Sequence, residues 1–419
     1  MKIAISPLSA RHTKSDRFFA APRSIARSVA TATAAAVLAA STAACAVNHR
    51  PPTTRAQLET DANNLRAVDR ATRDSVVERL VRRAVLRKDR TLDLLLLSGG
   101  GQNGAFGAGF LRGWQSRPDA PMPRFDMVTG ISTGALQAPY ALLGTPAAMD
   151  SLTATYARAA TEIAPTIDWW FWLRRTGGLV NTSRFDRAIE KAIDGRFRDE
   201  LRTALADDRQ LLFGTADFDL GVGRAWSLGE TLDTTAASLV RTRALFKAAT
   251  AIPGIFPPVV IDGHVHADGG VIQNVLPVLT FDDYQRLGAR LAAREIRDVT
   301  VHVYVLMNVW THTEPRIIDP SSRQQMNART TGILFYAHMP ETVTALSNLS
   351  RAVSLQVPGL TLDMHFATIP TWLSTEPGAA SLFDKQFMQR LDAFGFAKAR
   401  SANPWDELPS AFARPARVP

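Results

Sequence analysis

Gly130-Ile131-Ser132-Thr133-Gly134 is a Gly-x-Ser-x-Gly quintet. A serine framed in this way can occupy a sharp strand-to-helix turn with its hydroxyl exposed. The flanking glycines remove side chains that would strike the strand and the helix. Ser132 then stands at a helix N-terminus, where backbone N–H groups favour developing negative charge. The chemistry that fits is nucleophilic attack on a carbonyl carbon. A second glycine-rich stretch lies upstream, Gly99-Gly100-Gly101-Gln102-Asn103-Gly104. Its Gly99-x-Gly101-x-x-Gly104 spacing formally satisfies the dinucleotide fingerprint, but the following strand ends at Thr129-Gly130 without the carboxylate a ribose requires. No Gly-Lys-Ser/Thr closes the loop as a phosphate-binding P-loop. Beside a serine nucleophile the loop has another use, which is to hold an oxyanion. Unhindered N–H groups of Gly100 and Gly101 would bind the oxygen that turns negative as Ser132 attacks, each worth about 3–4 kcal/mol in the transition state.

A serine hydroxyl needs a base. Of the eight histidines, none lies in a motif that points to catalysis. His264 and His266 flank Val265 in a segment whose Asp262-Gly263 reads as a two-residue hairpin turn. Both are accounted for as hydrogen-bonded strand histidines. Asp268 precedes Gly269-Gly270, so the backbone can turn closely there and bring a carboxylate to another loop. Asp217 and Asp219 are rivals without flanking glycines.

The elements that must position these groups alternate. Strands are predicted at 92–97, 125–130, 210–216 and 299–309, and helices from about 105 and over 148–163, 183–194 and 239–249. This order implies a largely parallel sheet covered by helices on both faces. One domain is expected over 91–410.

The preceding residues read differently. Residues 1–44 carry a basic segment, then an uncharged Ala/Thr-rich run that ends at Cys45, the single cysteine. This is the layout of a secretory signal. Thr42-Ala43-Ala44-Cys45 resembles a bacterial lipobox, with Thr42 where leucine is usual. That resemblance implies a lipid on Cys45, an N-terminal membrane anchor, and, because Ala46 follows, an outer-membrane lipoprotein facing the periplasm or the cell surface. A cleaved signal with an incidental cysteine is the other reading. Residues 45–73 read as a polar tether and 74–90 as a basic amphipathic helix, either lying on anionic lipid or packed on the core.

Charge limits the partners. Residues 1–44 and 45–90 each carry net +5, whereas 91–419 carries net −1. The folded body therefore lacks the basic footprint that nucleic-acid binding demands. One cysteine also excludes a disulfide framework.

Taken together, the Gly99–Gly104 loop, Gly130–Gly134 and Asp268-Gly269-Gly270, in this order, resemble the patatin-like phospholipases. Supporting stretches are residues 248–259, Asn274 to Pro277, and 383–399, and the likeness covers about 92–400. It implies a three-layer α/β/α patatin-like fold with a mainly parallel central sheet. It also implies hydrolysis of acyl esters in phospholipids or other lipids, by a Ser-Asp dyad and without metal or cofactor. Ser132 would be the nucleophile and Asp268 the base, with Gly99, Gly100 and Gly101 in the oxyanion loop. The family's usual basic residue is Asn103 here. Trp169, Trp170, Phe171 and Trp172 form an aromatic cluster that is either an interfacial lid or core packing. An esterase or thioesterase acting on small soluble esters, and a catalytically silent lipoprotein that binds lipid or a protein, are the alternative functions. Positional and headgroup selectivity and protein partners are not encoded in these motifs.

Overall fold

The computed structural model describes residues 50, 52–170, 176–310 and 315–407. The signal segment, Cys45, Phe171 and Trp172 lie outside the described residues.

Ten strands are described: β1 Thr91–Leu97, β2 Met127–Ile131, β3 Thr166–Ile167, β4 Val180–Asn181, β5 Gln210–Asp217, β6 Val222–Ser227, β7 Val259–Ile261, β8 His264–Asp268, β9 Val299–Met307 and β10 Leu360–Thr368. Eight of them form one sheet in the order β10-β9-β1-β2-β5-β8-β7, with β6 also on β5. The pairs from β10 to β5 are parallel. The pairs beyond β5 are antiparallel.

The helices are α1 Arg55–Arg87, α2 Gly104–Gln115, α3 Thr133–Leu143, α4 Pro146–Arg158, α5 Ser183–Ala192, α6 Gly195–Leu205, α7 Leu228–Thr231, α8 Ala236–Ala249, α9 Phe281–Ala292, α10 Arg323–Gln356 and α11 Lys385–Ala399. Successive residues of β1 face opposite layers, as the strand pleat requires. Leu95 and Leu97 pack with Phe106, Phe110, Leu142, Phe246 and Leu391 on the side of α2, α3, α8 and α11. Leu92, Leu94 and Leu96 pack with Val77, Leu80, Leu287 and Val343 on the side of α1, α9 and α10. The fold is the three-layer α/β/α sandwich expected from the alternating pattern. Helices α2 and α11 meet backbone to backbone. A Cβ at Gly109 would lie 2.0 Å from the Asp392 carbonyl, and one at Gly395 would lie 2.2 Å from that of Phe106.

The N-terminal region departs from the expected tether. Residues 55–73, largely polar, extend the helix N-terminally from its expected start at 74. Thr54 and Gln57 form a reciprocal capping box, and the Arg55–Glu59 pair and the Arg73–Asp283 contact to α9 support this half. An apolar face is therefore not what makes it helical. The second half packs on the sheet rather than on lipid, with Val76, Val77, Leu80, Val81 and Ala84 buried.

Its arginines also turn inward. Arg83 donates to Asp126 at 2.7 Å, and Arg87 donates to Asp93 at 2.5 Å and to Asp126 at 2.8 Å. The Asp93 amide donates to the second Asp126 oxygen at 2.8 Å. Both Arg83 and Asp126 are buried. Removing one partner of a buried pair leaves an uncompensated charge and costs about 3–5 kcal/mol. Asp126→Ala is expected to lower stability by about that amount, read as a fall in the urea midpoint at unchanged slope.

Candidate active site

The parallel strands bring their carboxyl ends to one edge of the sheet. Leu97 pairs with Gly130 and with Leu306, and Ile131 pairs with Gly214. The turns after β1, β2 and β9 therefore emerge side by side, which is where open α/β sheets place their sites.

Ser132 follows β2 directly and caps α3. Its backbone has φ 52° and ψ −124°, a conformation that L-residues seldom adopt and that persists only where the surroundings enforce it. The enforcement is steric. A Cβ at Gly130 would sit 2.4 Å from the Gly134 carbonyl, and one at Gly134 would sit 2.4 Å from that of Leu97. Glycine at both positions lets the strand pass straight into the helix.

Asp268 arrives from across the sheet. Its strand β8 runs antiparallel to β5, with Thr215 opposite Asp268. Since Gly214 is opposite Ile131, Asp268 comes level with Ser132. The two expected partners meet: the Ser132 hydroxyl lies beside the Asp268 carboxylate and acts to hold its pKa down. The Gly270 N–H donates to Oδ1 of Asp268 at 2.8 Å. Asp268 is only 4% exposed. Burial pushes its pKa up to about 6, against the opposing pull of the Ser132 hydroxyl and the Gly270 N–H.

The glycine loop completes the site. Gly99 donates its N–H to the Asn274 carbonyl at 3.1 Å. A Cβ there would lie 3.0 Å from Cβ of Ser132 and 2.3 Å from Oδ1 of Asn274. Gly99 thus serves close approach, and its amide is already engaged. Among the described residues, Gly100 and Gly101 donate their N–H groups to no protein acceptor, which leaves both available to an incoming oxyanion. Gly101 has φ 57° and open space around its α-carbon. Gly104 lies against the Thr133 and Tyr156 hydroxyls, which hydrogen-bond to each other.

Asn308, at the end of β9, had no signal in the sequence, yet it holds this loop. Its amide N–H donates to Oγ of Ser98 at 2.8 Å, and its Nδ2 donates to the Ser98 carbonyl at 2.9 Å and to Oε1 of Gln137 at 3.0 Å. Gln102 ties the loop to residues 378–384, donating to the Gly378 carbonyl at 3.0 Å and accepting from the Asp384 amide at 2.8 Å. Asn103 is buried, and its Oδ1 accepts from no protein donor among the described residues.

The other acids and histidines are engaged elsewhere. His264 contacts Asp217 at 2.9 Å and Asp61 at 3.2 Å. His266 contacts Thr215 at 3.1 Å and packs against Trp226, and burial pushes its pKa down to about 4. Asp219 pairs with Arg50 at 2.6 Å. Among the described residues, two clusters could hold a metal ion, Asp217–Asp219–His264 and His302–Asp363–His365. Neither includes Ser132 or Asp268.

An apolar channel of about 110 Å³ leads away from Ser132. Leu136, Tyr156, Phe185, Ile189, Phe246 and Phe256 line it, with Gly101 and Ser132 at its reactive end. Such a lining suits an acyl chain whose ester carbonyl stops at the serine. Close to this channel, the backbone N–H groups of Leu179 and Val180 both donate to the Ile255 carbonyl. That contact anchors the β3–β4 hairpin, on whose connection Trp169 is 79% and Trp170 57% exposed. Both rings face solvent, so core packing does not account for them.

Residues 95–282 match the family model described as patatin-like phospholipase. The chain carries a patatin-like phospholipase domain. The match spans the glycine loop, Ser132 and Asp268, and it supports lipid acyl hydrolase chemistry for this patatin-like domain. VipD from Legionella pneumophila is a structural neighbour at 15% identity and TM-score 0.30, covering 72% of this chain and 67% of its own. A search of curated proteins finds no match.

If the glycine loop is held by close backbone approach, Gly100→Ala must displace it, because a Cβ there would lie 2.0 Å from the Asn308 carbonyl. The variant is expected to fold, with circular dichroism unchanged, and to lose about 100-fold or more in kcat. Full activity would show that the loop's amides are not used.

Proposed function

We propose that this protein is a serine acyl hydrolase releasing fatty acids from phospholipid or related lipid esters, with Ser132 and Asp268 as a dyad acting through an acyl-enzyme. The observation that carries this reading is the Ser132 hydroxyl lying beside the buried Asp268 carboxylate, next to two unengaged loop amides and at the head of an apolar channel.

The ester carbonyl binds with its acyl chain in the channel. Asp268 accepts the Ser132 proton as Oγ attacks the carbonyl carbon. The oxygen that gains charge lies against the Gly100 and Gly101 N–H groups, which need no reorganisation as it forms. The tetrahedral species collapses to the acyl-enzyme, and the alcohol leaves with the proton from Asp268. Asp268 then deprotonates a water that attacks the acyl carbon, and the fatty acid departs as Ser132 regains its proton. No step requires a metal or a cofactor.

The apolar lining of the channel supports an acyl chain as the group bound beside Ser132. The sequence of residues 28–45 supports a lipid on Cys45 and hence a location at the cell envelope, in the outer membrane. No described helix is long and apolar enough to cross a membrane.

Two measurements test the dyad. Purified protein beginning at Cys45 is expected to release fatty acid from phospholipid vesicles, whereas Ser132→Ala gives only background and Asp268→Asn loses about 10²–10⁴-fold. Release by all three proteins alike would exclude the dyad. In the parent, the pH profile follows the base. Asp268 acts when ionised, and its pKa lies near 6. The kcat/KM for a short-chain ester is therefore expected to plateau above about pH 7 and to fall tenfold per unit well below pH 6. A profile flat down to the ordinary aspartate range would remove Asp268 as the base.

A further inference from the structure

A second, larger concavity of about 1050 Å³ runs between α4 on one side and α5 and α6 on the other. It shares Tyr140, Thr155, Ile163, Ala188, Ala192 and Phe197 with the acyl channel. The two spaces are therefore neighbours across one apolar floor. Its rim is basic although residues 91–419 carry a slight negative charge. Arg184, Arg187 and Lys191 fall within about 60° of arc on α5 at 100° per residue. The adjoining stripe of α5 carries Phe185, Ile189 and Ala192 toward the channel. Arg184, Arg187 and Lys191 are exposed and have no ion-pair partner among the described residues.

The facing charges do not cancel this row. Glu200 pairs with Arg196 at 3.0 Å, and Asp194 caps α6 through the Phe197 amide at 2.8 Å. Asp186 and Glu190 face Lys247 at 3.1 and 4.0 Å. Arg124 pairs with Asp207 at 3.3 Å. Glu162 is the remaining acid in the groove, and Arg158 stands on the same side.

We propose that this groove is the docking surface for an anionic phospholipid bilayer, and that the substrate class is anionic phospholipid. The row on α5 takes headgroup phosphates, and the apolar floor leads an acyl chain toward Ser132. Charge complementarity is one argument, since unpaired cations near a bilayer gain most from anionic lipid. Continuity is the other. The β3–β4 hairpin joins α4 to α5, the two walls of the groove, and it carries exposed Trp169 and Trp170, the residue type that settles at headgroup level. Substrate class rests on the hydrolase reading above, but docking does not.

The test separates the two. Full-length Ser132→Ala is sedimented with vesicles of phosphatidylcholine alone and with vesicles containing phosphatidylglycerol. Affinity is expected to be at least about tenfold higher for the anionic vesicles and to weaken as salt rises. Adding Arg184→Glu, Arg187→Glu and Lys191→Glu is expected to bring the ratio close to one, with circular dichroism unchanged. Arg187→Glu alone should give an intermediate ratio. Equal affinity of the parent for both vesicles overturns the proposal. So does a preference that survives all three substitutions, which would assign it to the basic N-terminal ninety residues. With Ser132 restored, the anionic-over-zwitterionic ratio of fatty-acid release must fall in parallel. If no vesicle is hydrolysed while sedimentation keeps its charge dependence, the hydrolase reading fails and the docking surface stands.

Discussion

Everything at the carboxyl edge of the sheet depends on how closely three backbone turns can approach one another. The turn after β1, the turn after β2 and the segment after β8 occupy a space that side chains would fill. Gly99 lies where a Cβ would press on both Ser132 and Asn274. Gly130, Gly134 and Gly269 lie where a Cβ would strike neighbouring carbonyls. Removing those side chains does two things. It admits the strained backbone that aims the Ser132 hydroxyl, and it lets a carboxylate from an antiparallel strand reach that hydroxyl. The remaining architecture keeps these turns in register. Parallel pairing from β10 to β5 aligns the strand ends, and the Ser98–Asn308–Gln137 hydrogen bonds fix the glycine loop between its neighbours.

The same edge separates polar from apolar work. In the proposed reaction the oxyanion donors are backbone amides on a turn fixed by its neighbours, which need no reorganisation as charge forms. The same proposal leaves chain recognition to helices α3, α4, α5 and α8 and to the segment near Phe256, whose side chains in the channel are mostly apolar. Serine and carboxylate come from β2 and β8, the two strands that flank β5, so each side of the centre is carried by the sheet. The lipid-facing parts hang on helices and on one hairpin. This division explains why the catalytic motifs are short and glycine-rich while the channel has no motif at all.

Legibility in the sequence follows from that division. Strands such as 92–97 and 299–307 are dominated by buried apolar residues, and their ends were within a residue or two of the structure. Ser132, Asp268 and the glycines were legible because a close turn admits few residue types. Asn308 was not, since an asparagine after a strand is ordinary and its partners lie 171 and 210 residues away. Helix α10 and strand β10 also escaped notice. The helix contains Pro340 and polar stretches that blur its period, and the strand alternates with Asp363 and His365 at half-exposed positions. The first half of α1 was invisible for a related reason. Its helicity rests on a cap and on side-chain pairs, and apolar periodicity reports neither.

In the proposed dyad the choice of base is the most exacting part of the arrangement. An aspartate in water is too weak a base to take a proton from serine at neutral pH, and an aspartate buried without partners would be protonated and useless. Asp268 lies between these limits. Burial raises its proton affinity, and the Gly270 N–H and the neighbouring Ser132 hydroxyl oppose that rise, placing the group near 6. A third donor would return it toward the ordinary range, and loss of the Gly270 donor would carry it upward. Gly269 and Gly270 therefore matter beyond the turn they permit. Gly269 brings the chain against the Gly214 carbonyl, which leaves the Gly270 amide pointing at the carboxylate and sets how strongly Asp268 can pull on the serine proton.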